Sequence, residues 1–363
     1  MHLSYLSLKN FRSYSELELP LKSGITIFLG RNGEGKTNII ESILYLAFLA
    51  SHRTAGDLPL IKLGEQAAYI RSRIQGPDRE IMVELEINSE KSNRARINQN
   101  PVRSQKELFG LIQCIYFSPE DMDLVRGDPS ERRRFIDQIL ILRSPRLAGV
   151  ISDYERAVRQ RNALLKTRSH PASLEPWDQQ VAKYGAEIIA ARCSLLMEFN
   201  PFFTKAYANI SSEKLAKITY KSSIDQPTTN PEENYQIILQ KMNVIKGQEL
   251  DRGLTLIGPH RDDLVLHLGD HLVKGFASHG ESWSIALSLK LAAYELLLAE
   301  GKTPILILDD VFSELDEERR HQLISLAQSA EQTFITVAVE GDLPQDLFGT
   351  TYYVKNGSVK LRS

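Results

Sequence analysis

Cysteine is scarce: the 363 residues hold two, Cys114 and Cys193. Two thiols build no disulfide framework and have no metal-ligand spacing, which predicts a reducing, cytoplasmic setting. Long apolar runs are missing as well. The longest, from Ile39 to Ala50, is interrupted by Glu41 and is too short to cross a bilayer, so no membrane partner is expected. The opening stretch MHLSYLSLKNFRSY lacks a basic segment followed by an apolar run and a small-residue cleavage site, and it does not read as a signal peptide. There is no internal repeat, no low-complexity tail and no heptad array long enough for an extended coiled coil. An excess of one charge is absent too, the net charge being −2. Such a balance announces no nucleic-acid partner, yet it can conceal a local basic surface. What remains is an ordinary globular composition, 42% hydrophobic and 25% charged, in a chain long enough for two domains.

The first 115 or so residues read as short strands around one helix. LSYLSLKNF and SELELPL alternate loosely, ITIFL is a buried strand, and AAYIRSRIQ and IMVELEIN alternate apolar with polar. From about Ser118 the spacing becomes helical, through Leu147, Val150, Tyr154, Val158 and Leu165, then Val181, Tyr184, Ile188, Leu195 and Phe199. Between these lies a polar connector, 166–176, and a second loop-like segment follows at 222–234. Strand character returns after about Leu250 with LVLHLG, then a long helix from Trp283, PILILDD and QTFITVAVE. The pattern predicts an α/β body built from both ends of the chain, 1–117 and 250–363, with a helical insert, 118–249.

Residues 30–38, GRNGEGKTN, fit the phosphate-loop pattern at every fixed position. Gly30, Gly33 and Gly35 let the backbone amides of Arg31, Asn32, Glu34 and their neighbours curl around a β-phosphate. Lys36 reaches the β/γ oxygens, Thr37 can hold Mg²⁺, and the helix opening toward Asn38 adds its dipole. The strand PILILDD supplies the other half of an ATP site: Asp309 can join the Mg²⁺ shell and Asp310 can polarise an attacking water. These two halves stand more than 270 positions apart, which itself demands an insertion. ASHGES, 277–282, opens the long helix. Ser278 and Gly280 there offer a hydroxyl and close-approaching amides, although a capped surface helix would show the same residues. In ATPases that sandwich nucleotide between two heads, such a loop closes on the γ-phosphate of the opposite subunit. SELDEERR, 313–320, is placed to cross the same seam; alternatively it is a plain helix start with Ser313 as cap.

The strings LKNFRSY, GRNGEGKTN, FSPEDMDLVRGDPSERRRFID, YERAVRQRNALLK, GPHRDDL, ASHGES and LILDDVFSELDEERR together resemble the RecF family, of the chromosome-maintenance (SMC-like) branch of ABC ATPases. The resemblance covers most of the chain. It implies a discontinuous ABC-type ATPase head with an inserted helical lobe (lobe II), and a cytoplasmic DNA-repair protein. It also implies ATP-dependent binding of double-stranded or gapped DNA, an ATP-dependent homodimer, slow hydrolysis, and work with RecO- and RecR-like mediators at gaps. The family's signature is usually Ser-x-Gly-Gln-Gln-Arg, whereas here Glu281, Ser282 and Trp283 follow Gly280, and His279 replaces a common glutamine. The strand TFITVAVE ends without the histidine that many ABC proteins use to sense γ-phosphate; Val337 and Ala338 follow Thr336.

GPHRDD, 258–263, places His260 near Asp262, but two further metal ligands at workable spacing are lacking, so a loop packed near the seam or DNA is the expectation. From Arg132 to Arg168 ten Lys/Arg face three acids, Asp137, Asp153 and Glu155. Such a run is either a solvated helical face or a phosphate-contacting one, and its arginine weighting favours DNA through Arg132, Arg133, Arg134, Arg156, Arg159 and Arg161. Two rival functions share the phosphate loop. A nucleotide-binding subunit of a membrane transporter would need a shorter helical subdomain and a coupling surface. An ATPase–nuclease fusion would need an acidic metal-binding domain, and only about 50 residues follow Asp310.

Overall fold

The computed structural model describes all residues except 55, 77–78, 168–170, 212–213 and 363. The chain separates into two compact units, Met1–Asp121 with Ala293–Ser363, and Met122–Ala292. The departure lies close to the boundary expected at 117/118. The return falls within a helix at 292/293, not near 250.

The first unit opens with β1 (His2–Phe11), β2 (Tyr14–Pro20), β3 (Gly24–Leu29) and α1 (Lys36–Phe48). It continues with β4 (Ala67–Gln75), β5 (Glu80–Asn88), β6 (Arg94–Ile97), β7 (Asn100–Pro101) and β8 (Cys114–Phe117). The second unit contains α2 (Asp123–Arg126), α3 (Pro129–Arg143), α4 (Arg146–Lys166), α5 (Pro171–Ile210), β9 (Ala216–Lys221), α6 (Pro231–Arg252), β10 (Asp263–Leu268) and β11 (His271–Leu272). Helix α7 (His279–Ala299) crosses the division. The chain then finishes the first unit with β12 (Ile305–Asp309), α8 (Glu317–Ser329), β13 (Gln332–Val337), β14 (Thr350–Lys355) and β15 (Ser358–Leu361).

Two six-stranded sheets share the core of the first unit. One is antiparallel, in the order β2-β1-β4-β5-β6-β7. The other runs β15-β14-β3-β13-β12-β8 and is parallel except for β15. Their sequences differ because their burial differs. Strand β4 buries Ala68, Ile70, Ser72 and Ile74 and exposes Arg71 and Arg73, so apolar and polar residues alternate. Every residue of β12 and β13 is buried, so these strands read as continuous runs. Helix α1 is buried from Ile39 to Ala47, and its side chains join those of both sheets in one core cluster. A helix apolar on all sides belongs inside a core.

The second unit is not purely helical: β9, β10 and β11 form a three-stranded antiparallel sheet. Its longest element, α5, takes in 171–176 of the expected connector; Leu174 there is fully buried, while 168–170 lie outside the described residues. Helix α7 is long and apolar enough to cross a membrane by length and composition alone, but 83% of the qualifying window is buried inside the fold.

Candidate functional site

The phosphate loop follows β3, at the carboxyl end of the parallel sheet, where α/β folds hold ligands. Its glycines have distinct local reasons. A Cβ on Gly30 would meet the Val354 carbonyl oxygen at 2.2 Å. Gly35 has φ +112°, and a Cβ there would meet the Tyr14 hydroxyl at 2.9 Å. Helix α1 starts at Lys36 with no acid in its first turn, so its amide end is left for an anion. Below the loop, Tyr14 donates to the Gly35 carbonyl (3.1 Å) and Asn38 donates to Ser13 (2.9 Å). Arg12 grips Glu41 with two bonds, 2.6 and 2.7 Å. Burial alone would raise the Glu41 carboxyl, but Arg12 and Ser51 hold it below the usual range.

Lys36 is 3% exposed and its ammonium donates to the Gly30 carbonyl at 2.7 Å, with Asp310 Oδ2 3.7 Å away. Strand β13 lies between β3 and β12, and Thr336 is in register with Phe28 on one side and Asp309 on the other. From there it serves both acids. Its hydroxyl donates to Asp309 Oδ1 and accepts the Asp310 N–H at 3.0 Å. Tyr116 on β8 donates to Asp309 Oδ2 (3.2 Å), and Thr37 Oγ1 lies 3.5 Å from Asp309 Oδ1. Burial lifts the Asp309 carboxyl to about 6, the hydrogen bond from Thr336 opposing the rise and the neighbouring Asp310 adding to it.

Asp310 adopts φ +50°, which an L residue adopts at a cost, and its buried Oδ1 has no hydrogen-bond partner among the described residues. Asn32, Pro119, Asp310, Phe312, Ser313, Glu314, Val337, Ala338 and Asp342 line a cavity of about 210 Å³ beside it. Val337 and Ala338 bring no side-chain donor to that space. The donor set suits Mg²⁺: a hydroxyl and a carboxylate converge, and that carboxylate is short of positive charge. No group of three or more His, Cys, Asp or Glu forms a metal cluster among the described residues. Mg²⁺ does not require one, because it uses one or two carboxylates with water and substrate phosphate.

The structure therefore gathers Gly30–Asn38, Asp309 and Asp310, and adds Tyr14, Tyr116 and Thr336, which sequence reasoning had given no role. Only strand register reveals Thr336 and Tyr116. The SELDEERR segment does open a helix, but its cap is Asp316, which accepts the Arg319 N–H; Ser313 instead donates to the Asp310 carbonyl.

Ser278 and Gly280 lie in the second unit, as do all six candidate DNA-contacting arginines. Two of those six need correcting. Arg161 is fully buried, bonded to Asp178 and Glu249 at 2.6 Å each and to Thr255. Arg132 is 4% exposed, paired twice with Asp263 and bonded to the Leu124 and Gly127 carbonyls. Neither can reach a phosphate without dismantling its unit. Arg133 is half-buried and donates to the Asp262 carbonyl. Arg134, Arg156 and Arg159 are exposed, each beside an acid of its own helix. Arg168 lies outside the described residues.

GPHRDD forms a polar core within the second unit. Gly258 (φ +114°) packs where a Cβ would meet the Tyr154 hydroxyl at 2.3 Å. Asp262 is fully buried and accepts from Tyr220, Ser222 and Ser223. His260 sits 2.6 Å from the Tyr154 hydroxyl and is pushed down to about 4 by burial, so it is neutral at pH 7.

Comparison with known proteins gives the family and the fold. The family model for the RecF/RecN/SMC N-terminal domain matches residues 2–352. The DNA replication and repair protein RecF of Streptomyces avermitilis is 45% identical over 371 residues, covering 99% of this chain and all of that one. Two structures of the recombination mediator protein RecF in the RecFOR pathway, one with ATPrS and one with ATP, superpose with TM-scores of 0.92 and 0.91. Each is 26% identical and covers all of this chain and 98% of its own. An Smc head bound to the winged-helix domain of ScpA gives a TM-score of 0.58 at 16% identity, covering all of this chain and 97% of its own, a likeness of fold alone. Nothing in these relationships supports a transporter subunit.

Proposed function

The chain belongs to the RecF family, and on that premise we propose that it is an ATP-gated DNA clamp acting in DNA replication and recombinational repair. The observation that carries this reading is the convergence of Lys36, Thr37, Asp309 and Asp310 on one loop, with Thr336 holding both acids. ATP would lie along residues 30–38. Its β/γ oxygens would draw the Lys36 ammonium from the Gly30 carbonyl, exchanging a neutral acceptor for an anionic one. Thr37 and Asp309 would hold Mg²⁺, which when bound neutralises phosphate charge. Asp310, held by its N–H on Thr336, would orient and polarise the attacking water with the Oδ1 that now lacks a partner. A single acceptor of this kind, in a site completed by a second subunit, suits slow hydrolysis used as a switch.

Ser278 and Gly280 would meet the γ-phosphate bound by a second copy, making ATP the glue of a homodimer. Duplex or gapped DNA would be held through phosphates by Arg134, Arg156 and Arg159, with Arg133 at their margin. Arg134, Arg156 and Arg159 now sit in surface ion pairs worth about 1 kcal/mol or less, so exchange for phosphate costs little. A cytoplasmic site of action and docking of RecO- and RecR-like proteins complete the proposal, supported by the RecFOR setting of the matched RecF structures.

The test is light scattering and DNA anisotropy with and without ATP, on duplex, single-stranded and gapped substrates. The expected result is a dimer and enhanced duplex binding only with ATP, with Asp310→Asn prolonging both. A dimer of unchanged strength without nucleotide would remove ATP as the switch.

A further inference from the structure

The first turn of α7 carries an acid, Glu281, where the family usually has a glutamine, three residues from a serine proposed to face phosphate. The hydrogen bonds around it show what that acid does. Ser278 N–H donates to Glu281 Oε2 at 2.8 Å, and Glu281 N–H donates to Ser278 Oγ at 3.2 Å. This reciprocal pair is a capping box, which fixes both the backbone and the side chain of its first residue. The Ser278 carbonyl is held as well, accepting from the Ser282 hydroxyl (2.7 Å) and the Ser282 N–H (3.0 Å). Arg126 in turn donates to Ser282 Oγ at 3.3 Å. A serine hydroxyl has one proton. With Oγ accepting from the Glu281 amide, that proton is directed at the Glu281 carboxylate beside it, and an incoming phosphate oxygen would compete with the carboxylate for it.

The remaining Glu281 oxygen, Oε1, accepts from Lys214 Nζ at 2.8 Å. Lys214 and Ser278 together hold the Glu281 carboxyl down at about 2, so the acid is fully ionised. An unbalanced carboxylate so close to Ser278 would repel any phosphate brought there. A carboxylate paired with an ammonium presents almost no net charge.

We infer that Glu281 is a positioning residue that presets the Ser278 hydroxyl for a partner subunit's γ-phosphate, and that Lys214 is the counter-charge that makes an acid tolerable there. This rests on the reading of Ser278 as the seam residue. Glutamine at 281 keeps the cap without the charge. Here the cap is built from a carboxylate, and its charge is cancelled by Lys214, which lies between α5 and β9.

The test is the dissociation constant of the ATP-dependent dimer, measured by light scattering for single and double variants. Lys214→Ala removes an exposed side chain and leaves the cap, so the protein stays folded while the carboxylate is uncovered. It should weaken the dimer roughly 3- to 10-fold, the scale of one like charge placed several ångströms from phosphate in a largely aqueous setting. Glu281→Gln alone should stay within about twofold of the parent, because an amide oxygen still accepts from Ser278 N–H. The decisive protein is Lys214→Ala with Glu281→Gln, in which the dimer should recover to the Glu281→Gln value. A silent Lys214→Ala, or a loss that Glu281→Gln does not rescue, would overturn the inference. Ser278→Arg is the separate control. If it dimerises with ATP like the parent, the seam assignment itself is wrong, whatever the Lys214 result.

Discussion

The phosphate loop of the first unit and the arginine-rich segment of the second were both conspicuous in the sequence, and the fold treats them differently. In the loop the glycines stand where the pattern expects them, because the pattern encodes backbone geometry: Gly35 is at φ +112° and Gly30 packs against a carbonyl. In the segment the pattern was only a count of charges. Arg132 and Arg161 turn inward to Asp263, and to Asp178 and Glu249, while Arg134, Arg156 and Arg159 face solvent. A motif defined by conformation therefore survives folding, whereas a motif defined by composition is divided between core and surface.

The sharpest break of this comparison is Lys36→Met. It deletes the ammonium that would meet the β/γ oxygens, and ATP-dependent dimerisation and DNA binding should be lost. The effect should exceed a hundredfold in nucleotide affinity or turnover, with a melting temperature near that of the parent without nucleotide. Equilibrium ATP binding together with a thermal melt checks both halves; unchanged ATP binding would void the assignment. On the arginine side the largest effect should come from Arg161→Met. It strands Glu249, which is fully buried and otherwise accepts only the Leu256 N–H among the bonds described. Loss of one member of a buried ion network costs about 3–5 kcal/mol. Urea unfolding should show it, and a change below about 1 kcal/mol would mean that Arg161 is not the structural residue its burial indicates.

Much of the first unit was legible because its two sheets are buried differently, alternating in β4 and β5 and continuous in β12 and β13. The loop and the Asp309–Asp310 pair were legible for the same local reason. Thr336 and Tyr116 were not, because their roles depend on which strands become neighbours, and register across 27 positions for Thr336 and 193 for Tyr116 leaves no trace in local spacing. In the short sheet of the second unit, β10 was legible as LVLHLG but expected in the α/β body, while its partner β9 was missed, a six-residue strand flanked by long helices. In one dimension Glu281 is only a departure from the glutamine of the family's signature. Its partners are an amide three residues back and Lys214, 67 positions away.

Asp309, the proposed Mg²⁺ ligand, is held at the expense of stability. Its carboxyl is raised to about 6 from the 3.8 expected in an unfolded chain, so the fold favours the protonated form. The stability this contributes is fully present below pH 4 and is lost as pH rises through 6. At pH 7 the charged group is a liability of about 1–3 kcal/mol. Asp309→Asn should therefore raise the nucleotide-free melting temperature by a few degrees at pH 7 and by much less near pH 4, while weakening Mg²⁺-dependent ATP binding. Calorimetry at the two pH values checks the sign. A melting temperature that falls at pH 7 would show that the carboxylate is better compensated than its surroundings indicate.

The smallest effect expected is at the exposed arginines, and it is the one that decides whether the segment touches DNA. Arg156 and Arg159 are 63% and 69% exposed at the side chain and pair with Asp153 and Glu155 on the same helix. Their replacement by glutamine should change stability by less than about 0.5 kcal/mol, in contrast to Arg161. If they meet phosphate, each lost contact removes one released counterion. The log–log salt dependence of duplex affinity should then flatten by about 0.9 per contact, and affinity at moderate salt should drop several-fold for the pair. Nothing in the segment resembles a base-reading module, so the loss should be equal across DNA sequences. The measurement is anisotropy across a salt series with ATP present, for the parent, Arg156→Gln with Arg159→Gln, and Arg134→Gln as a third position on another helix. An unchanged slope in all of them would remove these three arginines as phosphate contacts, and the positive surface for DNA would then have to come from other residues.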